Sequence, residues 1–436
     1  MSEPIYRKQL SASGLLGEVR RCFGQIPDNI VGAIPLADHL MSGLALFGLK
    51  YPSLLQFDKD RQYETTTHVN LKALYDIERV PSDTYLRERL DEVEPRQLRR
   101  VFKCLFSHLQ RGKGLERFSF LDGHYLLSLD GTGYFSSPTV HCEQCGEKHH
   151  RNGTTTYYHQ MLGAVLVHPD IKEVIPLAPE PILKQDGEKK NDCERNATKR
   201  LLKDLRREHP HLKLIVVEDA LASNAPHIRQ LQSLDLRFIL GVKQTDHKFL
   251  FDWVAKTSAT AEYEITDEKG YHHRFRYLNG VPLNEANSEL KVNFLEYWQT
   301  SPKGKETYFS WVTDIPINET NLMKLMRGGR ARWKIENETF NTLKNQGYHF
   351  EHNFGHGHKN LSTVLMYLMM LAFMIDQIQQ RCCHLFQAAL AAAERKSYFW
   401  PKLRSRFELL KISSWEALYR SIIRPPSPIK PGYDSS

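Results

Sequence analysis

Three acidic residues are spaced so that they could work as one set. Asp130 ends the apolar run YLLSLD, Asp219 ends LKLIVVED, and Glu336 lies in RARWKIENETF, four residues after Arg332 and eight before Lys344. Cutting or joining a phosphodiester takes two divalent cations roughly 3.5–4 Å apart, which activate the attacking oxygen and stabilise the leaving one. Mg2+ or Mn2+ would be held by hard carboxylate oxygens. An Asp on a central strand, a second at the end of its neighbour and an acid on a helix crossing them would supply those oxygens. Arg332, Glu336 and Lys344 stand at i, i+4 and i+12, roughly on one helix face, where the two cations can hold phosphates beside the metal. Singly, each acid is ordinary. An Asp after a strand is commonly a cap or turn former, and a Glu on a charged helix is commonly solvated. Glu218 competes with Asp219, although strand alternation would send the two to opposite faces.

A second set lies in HCEQCGEKHHRNG. Cys142 and Cys145 have the C-x2-C spacing of a zinc knuckle; His149 or His150 would add a third ligand, and His141 or His159 a fourth. Such a zinc would be structural, stapling the loop 141–159. The competing reading is a polar hairpin with two free thiols. The segment EHNFGHGHKN carries His352, Asn353, His356 and His358, and is expected to form a turn presenting polar groups to a ligand rather than a metal site.

Basic residues gather near the acids. Residues 196–213 hold six Lys/Arg, Lys199 and Arg200 among them, against Asp204 and Glu208. Residues 321–360 hold seven, including Arg330, Arg332 and Lys344, against three acids. A cleft that receives the phosphate backbone of DNA needs such a concentration. Trp333 is expected in the core, with stacking on a base as the alternative.

The elements that must position these residues are readable from periodicity. Residues 1–115 are helical, and Ser82 or Asp83 caps one helix. Arg87, Arg89, Arg99 and Arg100 belong either to a DNA-binding helical module or to an ordinary bundle with a solvated basic face. Residues 120–244 read as three strands, a helix capped near Asn191 or Asp192, a strand, a helix and a strand: the mixed α/β order that puts acids at strand ends. Residues 245–320 alternate polar and aromatic residues, as antiparallel strands of a β-rich insertion do. Residues 321–380 return to helix, and 381–436 are a C-terminal helical segment with a Pro-rich tail expected to be disordered. The apolar stretch 361–378 approaches membrane-spanning length, but Ser362, Thr363, Asp376 and Gln377 favour a buried core helix.

Bulk properties narrow the class without choosing it. The 436 residues are 41% hydrophobic and 25% charged, with net charge +8, which excludes a largely disordered or collagen-like chain. Seven scattered cysteines and no apolar leader in MSEPIYRKQL fit a reducing, cytoplasmic compartment.

The run RWKIENETFNTLK (Arg332 to Lys344), with SLDGT and VVEDALASN upstream, resembles the insertion-sequence transposases built on an RNase H-like DDE core. The resemblance covers about residues 125–380. It implies an RNase H-like mixed sheet interrupted by the β-rich insertion, with Asp130, Asp219 and Glu336 holding two Mg2+ or Mn2+ ions. It also implies that Arg332 and Lys344 grip transposon-end DNA, aided by Arg330, Lys199 and Arg200. Partners would be double-stranded DNA, as element ends and target, and further copies of the chain in a dimer or larger assembly. The alternatives are a nuclease of this fold that cuts without joining, or a non-transposing DNA-binding descendant. Two departures stand out. The family's Tyr would fall at Gly329, and its Lys follows the Glu by seven residues where Lys344 follows Glu336 by eight, which makes Glu338 a rival third acid.

Overall fold

The structure, a computed structural model, describes residues 8–30, 32–184 and 192–425. The Pro-rich tail from residue 426 and Asn191 lie outside the described residues.

Six helices come first: α1 (Ala12–Phe23), α2 (Leu36–Gly48), α3 (Leu54–Tyr63), α4 (Thr65–Tyr75), α5 (Asp83–Asp91) and α6 (Arg99–Arg111). Ser11, Ser53 and Ser82 cap α1, α3 and α5, each hydroxyl accepting from the backbone N–H three residues on. The arginines weighed for a DNA-facing surface are largely engaged inside the protein. Arg89 is buried against Asp28, Arg99 is buried with Glu208 at 2.8 and 3.1 Å, and Arg87 pairs with Asp83. Of the four, Arg87 and Arg100 are exposed. A buried guanidinium is tolerable only with its carboxylate in contact, so Arg89 and Arg99 join elements rather than face a ligand.

The strands β1 (Ser119–Leu121), β2 (His124–Ser137), β3 (Gly146–His149), β4 (Thr155–His168), β5 (Ile171–Pro176) and β6 (Glu180–Ile182) follow. Next come α7 (Glu194–Glu208), β7 (Leu214–Glu218), α8 (Ala225–Ser233), β8 (Arg237–Gly241) and α9 (Lys248–Lys256). A meander completes the sheet: β9 (Ala261–Thr266), β10 (His272–Pro282), β11 (Lys291–Thr300) and β12 (Glu306–Thr313). Among the described residues, the twelve strands form one sheet, ordered β3-β4-β2-β7-β8-β12-β11-β10-β9, with β5 and β6 on the far edge of β4 and β1 on β2. β2, β7 and β8 are mutually parallel, and every other pairing is antiparallel. The protein is thus a mixed α/β fold with a large mixed sheet. The stretch expected as a β-rich insertion does not stand apart: β12 pairs with β8 and continues the central sheet. It also contains α9, where a strand-like aromatic composition conceals a helical stripe of Leu250, Phe251 and Val254.

The chain then runs through α10 (Leu322–Arg330), a 3-10 turn (Ala331–Trp333), a π-helical stretch (Ile335–Phe340) and α11 (Asn341–Asn345). The last helices are α12 (Leu361–Cys382), α13 (His384–Ala392), α14 (Lys396–Leu409) and α15 (Trp415–Ile423). α12 is long and apolar enough to cross a membrane, yet its whole apolar window is buried inside the protein, packed on α2, α5 and β5. Two polar devices hold it. Asp91, ending α5, accepts from the backbone N–H groups of His358, Lys359, Asn360 and Leu361, satisfying donors that the start of α12 would otherwise orphan. Asp376, within α12, accepts from Lys50 Nζ at 2.7 Å and from Tyr348 Oη at 2.5 Å, with Lys50 and Tyr348 fully enclosed.

Candidate active site

β2 and β7 run parallel with Ser128 beside Val217. The ladder ends there: Asp130 lies two residues further along β2, and Asp219 is the residue that follows β7. Both line a cleft of about 740 Å³ together with Glu194, Lys199 and Glu218. Asp219 also performs the cap role that its position suggests, accepting from Leu221 N–H at 3.0 Å. Glu218 is paired on the same cleft wall: its carboxylate receives His227 Nε2 at 2.6 Å. Burial depresses His227, but the charge and the hydrogen bond of the adjacent Glu218 together outweigh it and the imidazole pKa is raised.

The third acid reaches Asp130 over the sheet face. Gly163 of β4 pairs with Asp130, and a Cβ there would lie 3.0 Å from Phe340 and 3.5 Å from Ile335. Glycine lets the π-helical stretch settle this close to the strands; a larger residue would push the Phe340 ring back by a few tenths of an ångström. Glu336 then sits beside Asp130, and Arg332 Nη1 bridges the two, 2.9 Å from Glu336 and 3.3 Å from Asp130. Glu338 lies near Lys396 of α14, whose ammonium feels its charge. Of the two rivals, Glu336 is the one beside Asp130. The π-helical backbone closes i→i+5 rings, which adds one residue to the turn that carries Glu336.

Pleat alternation places a further acid on the opposite face. Gly131, next to Asp130, would put a Cβ 2.1 Å from Glu194 Oε1, at the start of α7. Glu194 is exposed at the cleft wall, yet its carboxylate is crowded. Partial burial, and then the Asp219 charge, raise its pKa. Sequence reading missed Glu194, because an acid in a first helical turn is the ordinary dipole partner.

Charge is unbalanced here. Burial, and then Glu336, lift the Asp130 carboxyl to about 6 against the pull of Arg332. With divalent cations withheld, the folded chain therefore keeps a proton on Asp130 that the unfolded chain releases near pH 4, and this carboxyl lowers stability progressively as pH rises to about 6. Asp130→Asn is expected to melt at a higher temperature than wild type in EDTA at pH 8, with the gap narrowing toward pH 5. Thermal melts at the two pH values check this, and a gap independent of pH would refute it.

The other expected DNA contacts divide. Lys199 lines the cleft and Arg330 is exposed, its guanidinium 3.2 Å from Gln299 and over the Phe309 ring. Lys344 pairs with Glu351 at 2.7 Å. Arg200 does not join the cleft surface as a free cation: it binds Glu180 at 2.7 Å and Asp192 at 2.6 Å, joining α7 to β6. Trp333, expected in the core, is 49% exposed with Arg332 against its ring. Gly329 is packed on Trp311, where a Cβ would sit 2.4 Å from Nε1. A tyrosine has no room there. Even Gly329→Ala is expected to destabilise by about 1–3 kcal/mol despite the better helix propensity of Ala; chemical denaturation measures it, and a neutral or stabilising result would contradict the packing.

No protein-family profile and no curated protein matches the chain. Among solved structures, the piggyBac transposase synaptic complex with hairpin DNA is similar at a TM-score of 0.40 and 11% identity, over 96% of this chain and 81% of that chain. A likeness of that size assigns neither function nor mechanism.

Of the four histidines the spacing suggested, the knuckle cysteines gather His159 and not the other three. His149 and His150 are exposed and bonded to Thr155 and Thr156, and His141 stacks against Tyr157. His159 and His356 approach the thiols instead. His356 comes from the EHNFGHGHKN segment, more than 200 residues further on, and no sequence interval could link it to Cys145.

Proposed function

We propose that the protein is a DDE transposase of the insertion-sequence type, with an RNase H-like core, that cuts DNA at element ends and joins them to a target. The observation that carries this reading is that Asp130 of β2 and Asp219, just past the end of the parallel neighbour β7, line one cleft, with Glu336 joined to Asp130 through Arg332. The π-helical stretch supports it. One added residue in that turn accounts for Lys344 following Glu336 by eight residues where the family has seven. Gly329 in place of the family's Tyr is accounted for by Trp311.

The acids suit hard divalent cations. Arg332 already occupies the gap between Asp130 and Glu336 with positive charge, and the raised Asp130 carboxyl marks a site short of it. Asp130, Asp219 and Glu336 would hold Mg2+ or Mn2+. Ions bound there would activate a water or a 3′-hydroxyl and stabilise the leaving oxygen. The chain's own part is positional. Rigid strands fix the two aspartates, and the close seat on Gly163 fixes Glu336. Arg332, which bridges Asp130 and Glu336, would turn to a phosphate oxygen when those carboxylates are otherwise neutralised, and Lys199 and Arg330 would add positive charge at the approaches. Double-stranded DNA is the substrate on this reading, and joining two ends requires at least two copies of the chain.

The DNA flanking the gene supplies the test. Inverted repeats found there, made as labelled duplexes, should be nicked to a 3′-hydroxyl and joined to plasmid in the presence of Mg2+ or Mn2+. Cleavage without joining of a pre-cut end would identify a nuclease. Binding without cleavage would identify a non-catalytic descendant.

A further inference from the structure

We propose that Cys142, Cys145, His159 and His356 form a structural zinc site that ties the loop between β2 and β4 to the segment linking α11 to α12. The four donor atoms lie within 4.8 Å of one another. Cys142 Sγ and Cys145 Sγ are 3.9 Å apart. His159 Nε2 is 3.3 and 3.4 Å from the two sulfurs, and His356 Nε2 is 3.3 Å from Cys145 Sγ. Around a tetrahedral zinc with Zn–S about 2.3 Å and Zn–N about 2.0 Å, S···S edges are about 3.8 Å and S···N edges about 3.5 Å. The observed edges match that figure without rearrangement.

The surroundings fit the same occupant. Cys145, His159 and His356 are buried, and Cys142 is half-buried. Tyr134 stacks on His159 and Phe135 lies 4.2 Å from the His356 ring, so the donors face one another inside an aromatic enclosure. Two thiols and two imidazoles have little reason to converge there as neutral groups. As two thiolates and two neutral imidazoles they neutralise a dication, and two protons pass to solvent on binding. Soft sulfur with imidazole selects zinc over the hard ions suited to the carboxylate site. Four protein ligands leave no open position, which makes the site structural and not catalytic.

The chain geometry gives the site its consequence. Cys145 N–H donates to Cys142 O in the knuckle turn, His159 stands on β4 in register with Phe135 of β2, and Glu143 N–H donates to His358 O across the two segments. His356 follows the Glu336 helix and precedes the N–H groups that Asp91 holds. Zinc would therefore fasten the exit of the Glu336 helix to β4, the strand paired with the one that carries Asp130.

The protein, expressed without a histidine tag and washed with a weak chelator, should retain about one zinc per chain. Its cobalt-exchanged form should display the visible spectrum of a tetrahedral site with two thiolates. His356→Ala and Cys145→Ser should lose the metal, whereas His149→Ala and His150→Ala should keep it. If the first two variants do not fold, X-ray absorption on wild type decides, with two sulfur and two nitrogen neighbours expected. A folded wild-type protein that holds no zinc and takes none up from a zinc buffer would overturn the proposal. So would loss of zinc from the His149 or His150 variants with retention in His356→Ala.

Discussion

Asp130→Asn and Asp219→Asn are each expected to reduce metal-dependent strand cleavage on the order of a thousandfold while the chain stays folded. On the proposed reading, each substitution removes an anionic oxygen that would hold a divalent cation in place, and an amide oxygen binds Mg2+ far more weakly. The same comparison separates the rival third acids. Glu336→Gln should match the aspartate variants, because its carboxylate shares Arg332 with Asp130. Glu338→Gln should retain activity within about threefold, since its charge is directed at Lys396. Cleavage of a labelled duplex over a Mn2+ titration reads both. Wild-type rates from Asp130→Asn would remove the site altogether, and equal losses at Glu336 and Glu338 would remove the assignment between them.

The second large effect concerns stability. Lys50→Ala is expected to cost about 3–5 kcal/mol, because it leaves the Asp376 carboxylate buried without its cation. Lys50 is 2% exposed, and its ammonium also donates to the carbonyls of Phe47 and Gly48 while lying 4.1 Å from the ring centres of Tyr348 and Trp400. Burial raises the Asp376 pKa and lowers that of Lys50, so each ion depends on the other for its charge. Replacing both with apolar residues, as in Lys50→Met with Asp376→Leu, should recover most of the loss. Guanidinium unfolding of the two singles and the double measures the coupling. A double variant as unstable as the sum of the singles would show that the pair contributes separately to packing. Since Tyr348 follows the Glu336 helix and shares Asp376, the single variant should also loosen that segment, which hydrogen exchange can follow.

What the sequence reveals about this fold is what local periodicity encodes. β2, β4, β7 and β8 are apolar runs long enough to be buried strands. The meander β9–β12 alternates, and α7 and α8 carry helical stripes. Asp130 and Asp219 were legible because they end such runs, and Glu336 because it stands four residues from Arg332. The misses have a common physical cause. Arg89, Arg99 and Arg200 read as exposed basic surface, but their carboxylates come from Asp28, Glu208 and Glu180, on other elements of the chain. His356 failed in the same way, through a partner brought near only by tertiary folding. α9 failed for a local reason: its Phe and Trp content resembles the strands around it, and only the spacing of its buried residues marks a helix. The extra residue before Lys344 looked like a flaw in register, and the π-helical turn takes it up.

The unbroken sheet has a directional consequence. Neighbouring strands rotate by roughly 20–25° each, so the four steps from β8 through β12, β11 and β10 to β9 turn the outermost strand by roughly 80–100° from the parallel centre. The register break between Leu278 and Val281 of β10 adds to that rotation. A rotation of that size would set the broad face of the β9–β10 hairpin at a steep angle to the carboxylate cleft, like the raised side of a trough. If the proposed substrate is right, a straight duplex over the acids would meet this wall along its flank instead of resting on it as a floor.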